Sequence, residues 1–168
     1  MMKITLFALI ISAGILTSCN VNAKYRKQGN HWFESGKVPN DKDDTKLYVE
    51  EGKQEYEELF DFHNASMIAE KYIEDCVYMH QDLGVLRGRE AIRDAYDRVF
   101  DSGKHSVELE TQDVELLKTG AVQAIAVGHY FDEDHNSMGA SRILVILKHD
   151  GDDGYKTQYK AEFTEYAE

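Results

Sequence analysis

The chain has 168 residues, 42% hydrophobic and 11% aromatic, with 19 Lys+Arg against 31 Asp+Glu and a formal net charge of −12. Enough apolar surface exists to offset chain entropy, which excludes a disordered chain and supports one folded domain. The acidic excess argues against a nucleic-acid partner, because it repels phosphate backbones. Two Cys are too few for a disulfide scaffold.

Met1-Met2-Lys3 opens the chain, and an apolar run follows from Ile4 to Ile15. A run this short, with one Lys in front, reads as a secretory signal rather than a membrane span. Leu16-Thr17-Ser18-Cys19 closes it, and these four residues resemble the lipobox of bacterial lipoproteins. The resemblance implies cleavage after residue 18 and acylation of Cys19, giving a membrane anchor in the bacterial cell envelope. Asn20, rather than Asp, follows the Cys, which implies the outer membrane, facing the periplasm. The competing reading is an ordinary cleaved signal with an incidental Cys. Removing residues 1–18 leaves 18 Lys+Arg against 31 Asp+Glu, a charge of −13. Cys76, between Asp75 and Val77, is expected to be a buried small hydrophobe, since no basic neighbour in sequence lowers its pKa.

Residues 19–44 hold few aliphatics, with Gly29, Gly36, Pro39 and the cluster Asp41-Lys42-Asp43-Asp44, and read as a flexible tether. Trp32-Phe33 is its apolar exception. Thr45 is expected to cap a helix to about Asn64, with Leu47, Tyr48, Tyr56, Leu59, Phe60 and His63 near one face. Ser66 opens a short second helix. Cys76-Val77-Tyr78-Met79 reads as a brief strand, Gly84 as a turn, and Gly88 as the approach to a third helix. There Ile92, Ala95, Tyr96, Val99 and Phe100 recur at helical spacing. After Ser102-Gly103 the period becomes two, and strands are expected at 107–117, 121–131, 141–148 and 155–163. The turns between them are short enough for antiparallel hairpins. Residues 45–168 therefore read as one α+β domain.

The segment Tyr72-Ile73-Glu74-Asp75-Cys76-Val77, followed by Gly88-Arg89-Glu90-Ala91-Ile92-Arg93, resembles the nuclear transport factor 2-like superfamily over roughly residues 46–166. Within it the SnoaL-like and ketosteroid-isomerase-like branch is the nearest in look. This implies a conical α+β barrel, with three N-terminal helices packed in a curved, mostly antiparallel sheet around an apolar pocket. The superfamily hosts isomerases, dehydratases, binding modules and assembly modules, so the resemblance leaves activity open.

Counted without gaps from Tyr72, Tyr56 falls where steroid isomerases place a phenolic oxyanion donor, and His80 where they place the base. A His there suits proton abstraction beside a carbonyl at neutral pH, with Tyr56 donating to the enolate. The third isomerase group, an acid, would fall near Leu144, where none exists. The plainer readings are core packing for Tyr56 and a strand-end turn for His80. Tyr72, Tyr78, Tyr96 and His129 are expected in the pocket wall, while Arg142 reads best as part of a solvated face. The acidic loops 132–135 and 149–154 lack a calcium-loop pattern, and no metal or cofactor motif occurs. Three functions follow: a lipoprotein domain binding a small, largely apolar ligand; an isomerase or dehydratase using His80 and Tyr56; or a module forming homodimers through its sheet face.

Overall fold

The computed structural model describes residue 39 and residues 41–165. The signal expected at 1–18, the acylated Cys19, Trp32-Phe33 and nearly all of the expected tether lie outside the described residues.

Helix α1 spans Lys42–Asp61 and begins three residues before the expected Thr45. Asp41 is its cap, because its carboxylate accepts the amide hydrogens of Asp43 and Asp44 at 3.0 and 2.9 Å. Thr45 is fully buried instead, its hydroxyl donating to the Asp41 carbonyl. Helix α1 stops at Phe62 rather than Asn64, since His63 turns to a positive φ of 51° and Asn64 caps the next helix. That helix, α2, is Ala65–Glu70.

Strand β1 runs Tyr72–His80, longer than the four residues expected, with a register break between Tyr72 and Val77. Strand β2, Gly84–Arg87, was expected only as a turn. Four residues that begin with one glycine and run up to another are too few to show a period, yet they pair antiparallel with β1. Helix α3 spans Gly88–Asp101 and buries Ile92, Ala95 and Tyr96 as its spacing predicts. Gly88 has φ +79°, where an L side chain is strained. Arg89 then fastens the helix start to β1, donating to the Tyr72 carbonyl and pairing with Glu74 at 2.6 Å.

Strands β3 (Ser106–Leu116), β4 (Val122–Phe131) and β5 (Ser137–His149) form the expected meander. β5 starts four residues early, extending through Gly139 at φ +105°, a conformation that reads as a turn in sequence. A short 3₁₀ turn at Gly151–Asp153 leads to β6, Tyr155–Glu165. The sheet order is β2-β1-β6-β5-β4-β3, antiparallel throughout except for the parallel β1–β6 pair. β6 therefore joins the strand embedded among the helices to the C-terminal meander.

Three helices and one curved sheet make the α+β cone expected. Leu59, Phe60, Ile68, Ile73, Ile92 and Val107 form the main apolar core, and Cys76 lies fully buried beside them. Burial pushes the Cys76 thiol up, away from the reactive thiolate. A smaller cluster, Val49, Val114, Val122, Ala124 and Tyr155, packs under the start of α1.

Candidate functional site

Alternate residues of β6 face the helices, and Lys160 and Glu162 are successive members of that inward row. Register places Tyr78 and Val145 beside Lys160, and His80 and Ile143 beside Glu162. Both charged residues are only 3% exposed. Their side chains pair at 2.9 Å between Nζ and Oε2. A buried pair persists only where its remaining hydrogen-bonding capacity is met.

Tyrosines meet it. Tyr78 donates to Oε2 of Glu162 at 2.7 Å, and Tyr130 donates to Oε1 at 2.6 Å. Lys160 donates to the Tyr96 hydroxyl at 3.0 Å. Its ammonium also stands 4.9 Å from the Tyr78 ring centre, 5.4 Å from Tyr56 and 5.5 Å from Tyr96. The Tyr56 and Tyr72 hydroxyls lie 2.9 and 3.2 Å from that of Tyr96. Helices α1 and α3 and strands β1 and β4 thus each send tyrosine into one polar cluster.

Burial acts to raise the Glu162 carboxyl, but Lys160 and the tyrosine donors outweigh it and hold the pKa at about 2. Burial acts to lower Lys160, yet the Glu162 carboxylate holds it well above the usual ammonium range. Burial raises the phenols, Tyr72 to about 12. The cluster is therefore ionised at one pair and neutral at every phenol near pH 7.

Hydrogen counting orients the rest. An ammonium only donates, so Tyr96 accepts from Lys160 and has one hydrogen for two neighbours. It donates to one of Tyr56 and Tyr72 and accepts from the other. The one it donates to keeps its own hydrogen outside the cluster. Both phenol groups are buried, where an unmet O–H costs about 1–3 kcal/mol, although the Tyr56 residue as a whole is partly exposed. Either order leaves one phenol hydrogen, on Tyr56 or on Tyr72, for a partner outside the trio.

His80 ends β1, half-buried. Its Nδ1 accepts the amide hydrogens of Asp82 and Leu83 at 3.1 and 3.3 Å, closing the turn into β2. With Nδ1 accepting, the ring proton sits on Nε2, which is a donor. Burial lowers its pKa, so the ring stays neutral. Lys104, in the α3–β3 loop, is half-buried with Nζ 3.9 Å from the Tyr130 ring centre. Burial lowers its pKa as well.

The structure thus brings Tyr56, Tyr72, Tyr78 and Tyr96 together, with His80 abreast of Glu162 at their edge. His129 stands apart. It is exposed on β4, where it lines an open groove of about 530 Å³ together with Glu50, Lys53 and Thr111. Arg142 is exposed on the same sheet face, in register with Val127 and Phe163. Among the described residues no group of three His, Cys, Asp or Glu side chains is gathered to hold a metal ion. The acidic loops satisfy themselves: Asp132 accepts from Asp134 and Asn136, and Lys156 pairs with Asp150 and Asp153.

Sequence reasoning missed Lys160, Glu162, Tyr130 and Lys104. The signal was a Lys-x-Glu step inside a strand of period two, which places both charges on one face. Whether that face was inward required the parallel pairing with β1.

No protein-family model matches the chain, and no curated protein matches it in sequence. Solved structures do. A domain of unknown function with a cystatin-like fold from Nostoc punctiforme superposes with a TM-score of 0.64 at 14% identity, over 76% of this chain and 81% of that one. An NTF2-like protein with a cystatin-like fold from Novosphingobium aromaticivorans gives 0.56 at 16%, over 89% and 90%. The fold is NTF2-like. A structure from Catenulispora acidiphila in complex with S-DNPA gives 0.59 at 16%, over 70% and 92%. At these identities the likeness carries the conical α+β fold alone.

Proposed function

We propose that this chain is an envelope lipoprotein whose NTF2-like domain binds a small, largely apolar molecule in the mouth of the cone. Tyrosine rings supply its walls, and Tyr56 supplies a directed hydrogen-bond donor for an acceptor oxygen on the molecule. The observation that carries this reading is the hydrogen count, which leaves the trio of Tyr56, Tyr96 and Tyr72 one hydroxyl hydrogen for an outside acceptor, Tyr56 being its partly exposed member. The bound S-DNPA in the Catenulispora acidiphila protein supports small-molecule binding on this fold. The leader sequence through Cys19 supports the lipid anchor. Native mass spectrometry of protein extracted from its own cells tests the reading: a co-purifying small molecule is expected, lost or weakened about tenfold in Tyr56→Phe, as for removal of one hydrogen bond in a desolvated site. Retention of the molecule unchanged in Tyr56→Phe overturns the donor role.

A second reading, a proton-transfer enzyme with Tyr56 as oxyanion donor and His80 as general base, keeps the Tyr56 half of this geometry. It needs Nε2 of His80 free of its proton, which moves the proton to Nδ1 against two backbone amides. Glu162 is a poor replacement, because Lys160 and two tyrosine donors hold its carboxylate ionised and weakly basic. The binding reading needs neither change and fits the geometry better. A third, a homodimer through the sheet, draws on exposed Met79, Tyr159 and Phe163 on the outer face, the last 56% exposed. Sedimentation tests it: a concentration-dependent dimer that Phe163→Glu dissociates supports pairing, and a monomer at all concentrations overturns it.

A further inference from the structure

The chain carries a large surplus of acids, yet Lys104 sits half-buried on an aromatic face and, among the described residues, no carboxylate is in ion-pair contact with it. Desolvating an ammonium without a counter-charge is costly, and a cation–π contact offsets only part of that. Glu162 is next in line beyond the ring, because Tyr130 donates to it at 2.6 Å. Its two oxygens are already taken by Tyr78, Tyr130 and Lys160. Among the described residues, two ammonium groups therefore face one carboxylate in the enclosed part of this end of the cone. Asp82 is exposed on the β1–β2 turn and makes no ion pair with Lys104.

His80 borders the same place. It is in register with Glu162, its ring is 5.6 Å from that of Tyr78, and the turn amides on Nδ1 leave Nε2–H as a second donor. Lys104, Tyr130, Glu162 and His80 thus form a contiguous edge, with a cation at one end and a neutral N–H donor at the other. Both end groups are half-buried and so reached from solvent.

We propose that Lys104 and His80 are the anion-recognising end of the ligand site, and that the molecule it takes carries one carboxylate on an apolar body. This rests on the reading of the cone mouth as a ligand site. A single negative charge balances the excess ammonium, whereas a dianion such as a phosphate monoester would meet the Glu162 charge unscreened. The apolar body lies on the tyrosine faces, where Tyr56 meets a second oxygen.

The test uses the full chain and matched neutral and charged probes, 2-naphthylacetic acid and 2-naphthylacetamide, with phenyl and alkyl pairs of the same kind, titrated by ligand-observed NMR. The acid is expected to bind at least about tenfold more tightly than its amide, as for one desolvated charge-assisted contact. Lys104→Met removes that preference, bringing the acid to the affinity of its amide, Lys104→Arg keeps it, and Lys118→Met, in an exposed turn, leaves it unchanged. Equal affinity for acid and amide, or a preference that survives Lys104→Met, overturns the anion end and leaves the ligand site standing. Failure of every pair to bind overturns both.

Discussion

Glu162 keeps its charge down to about pH 2 in the folded domain, against an ordinary value of 4.5. A carboxyl with a depressed folded pKa stabilises the fold above its unfolded pKa, and that contribution fades as pH falls from 4.5 toward 2. Urea midpoints are accordingly expected to drop steeply across that window. Glu162→Gln should flatten the slope while lowering stability at neutral pH, and an unchanged slope would count against the pairing. Lys160→Met should destabilise by about 3–5 kcal/mol, because it strands a buried carboxylate. Adding Glu162→Gln to Lys160→Met should recover part of that loss, since the stranded charge goes with it. Denaturation of the two single variants and the double variant measures the coupling directly.

Elements of this domain meet across narrow gaps. Gly128 on β4 faces the core, and a Cβ there would lie 3.0 Å from Cδ1 of Ile143 and 3.2 Å from Cδ2 of Leu109. Gly128→Ala should cost about 1–3 kcal/mol in chemical denaturation through overpacking. No cost would mean that Ile143 and Leu109 reorient freely. The long α3 was legible because its apolar spacing is undiluted, and the meander because its turns are rich in glycine and acids. β2 was not, since four residues carry no readable period. The Lys160–Glu162 pair was hidden for a different reason. Charges in a strand read as solvent-facing until a long-range partner fixes the face, and that partner, β1, lies about 80 residues upstream by the register Tyr78 to Lys160. Tyr56, Tyr72, Tyr78 and Tyr96 were named from sequence, but what draws them together sits on β6.

At the scale of the whole molecule, the residues that bear on location precede the domain. Cys19→Ser is expected to shift the protein from the membrane fraction to the soluble fraction of the cell. The same distribution in both would overturn the lipid anchor. The sheet order adds a point about the route to the native state. β6 lies in the middle of the sheet, between β1 and β5, although it is the last strand of the domain to be synthesised. The helical half and the meander stay unjoined, and their tyrosines without the ion pair they surround, until that strand arrives. Non-local closure of this kind is slow, because loop entropy is lost before contacts reward it. A chain that crosses a membrane before folding, as proposed for this one, gains from that delay: its domain cannot lock prematurely on the wrong side.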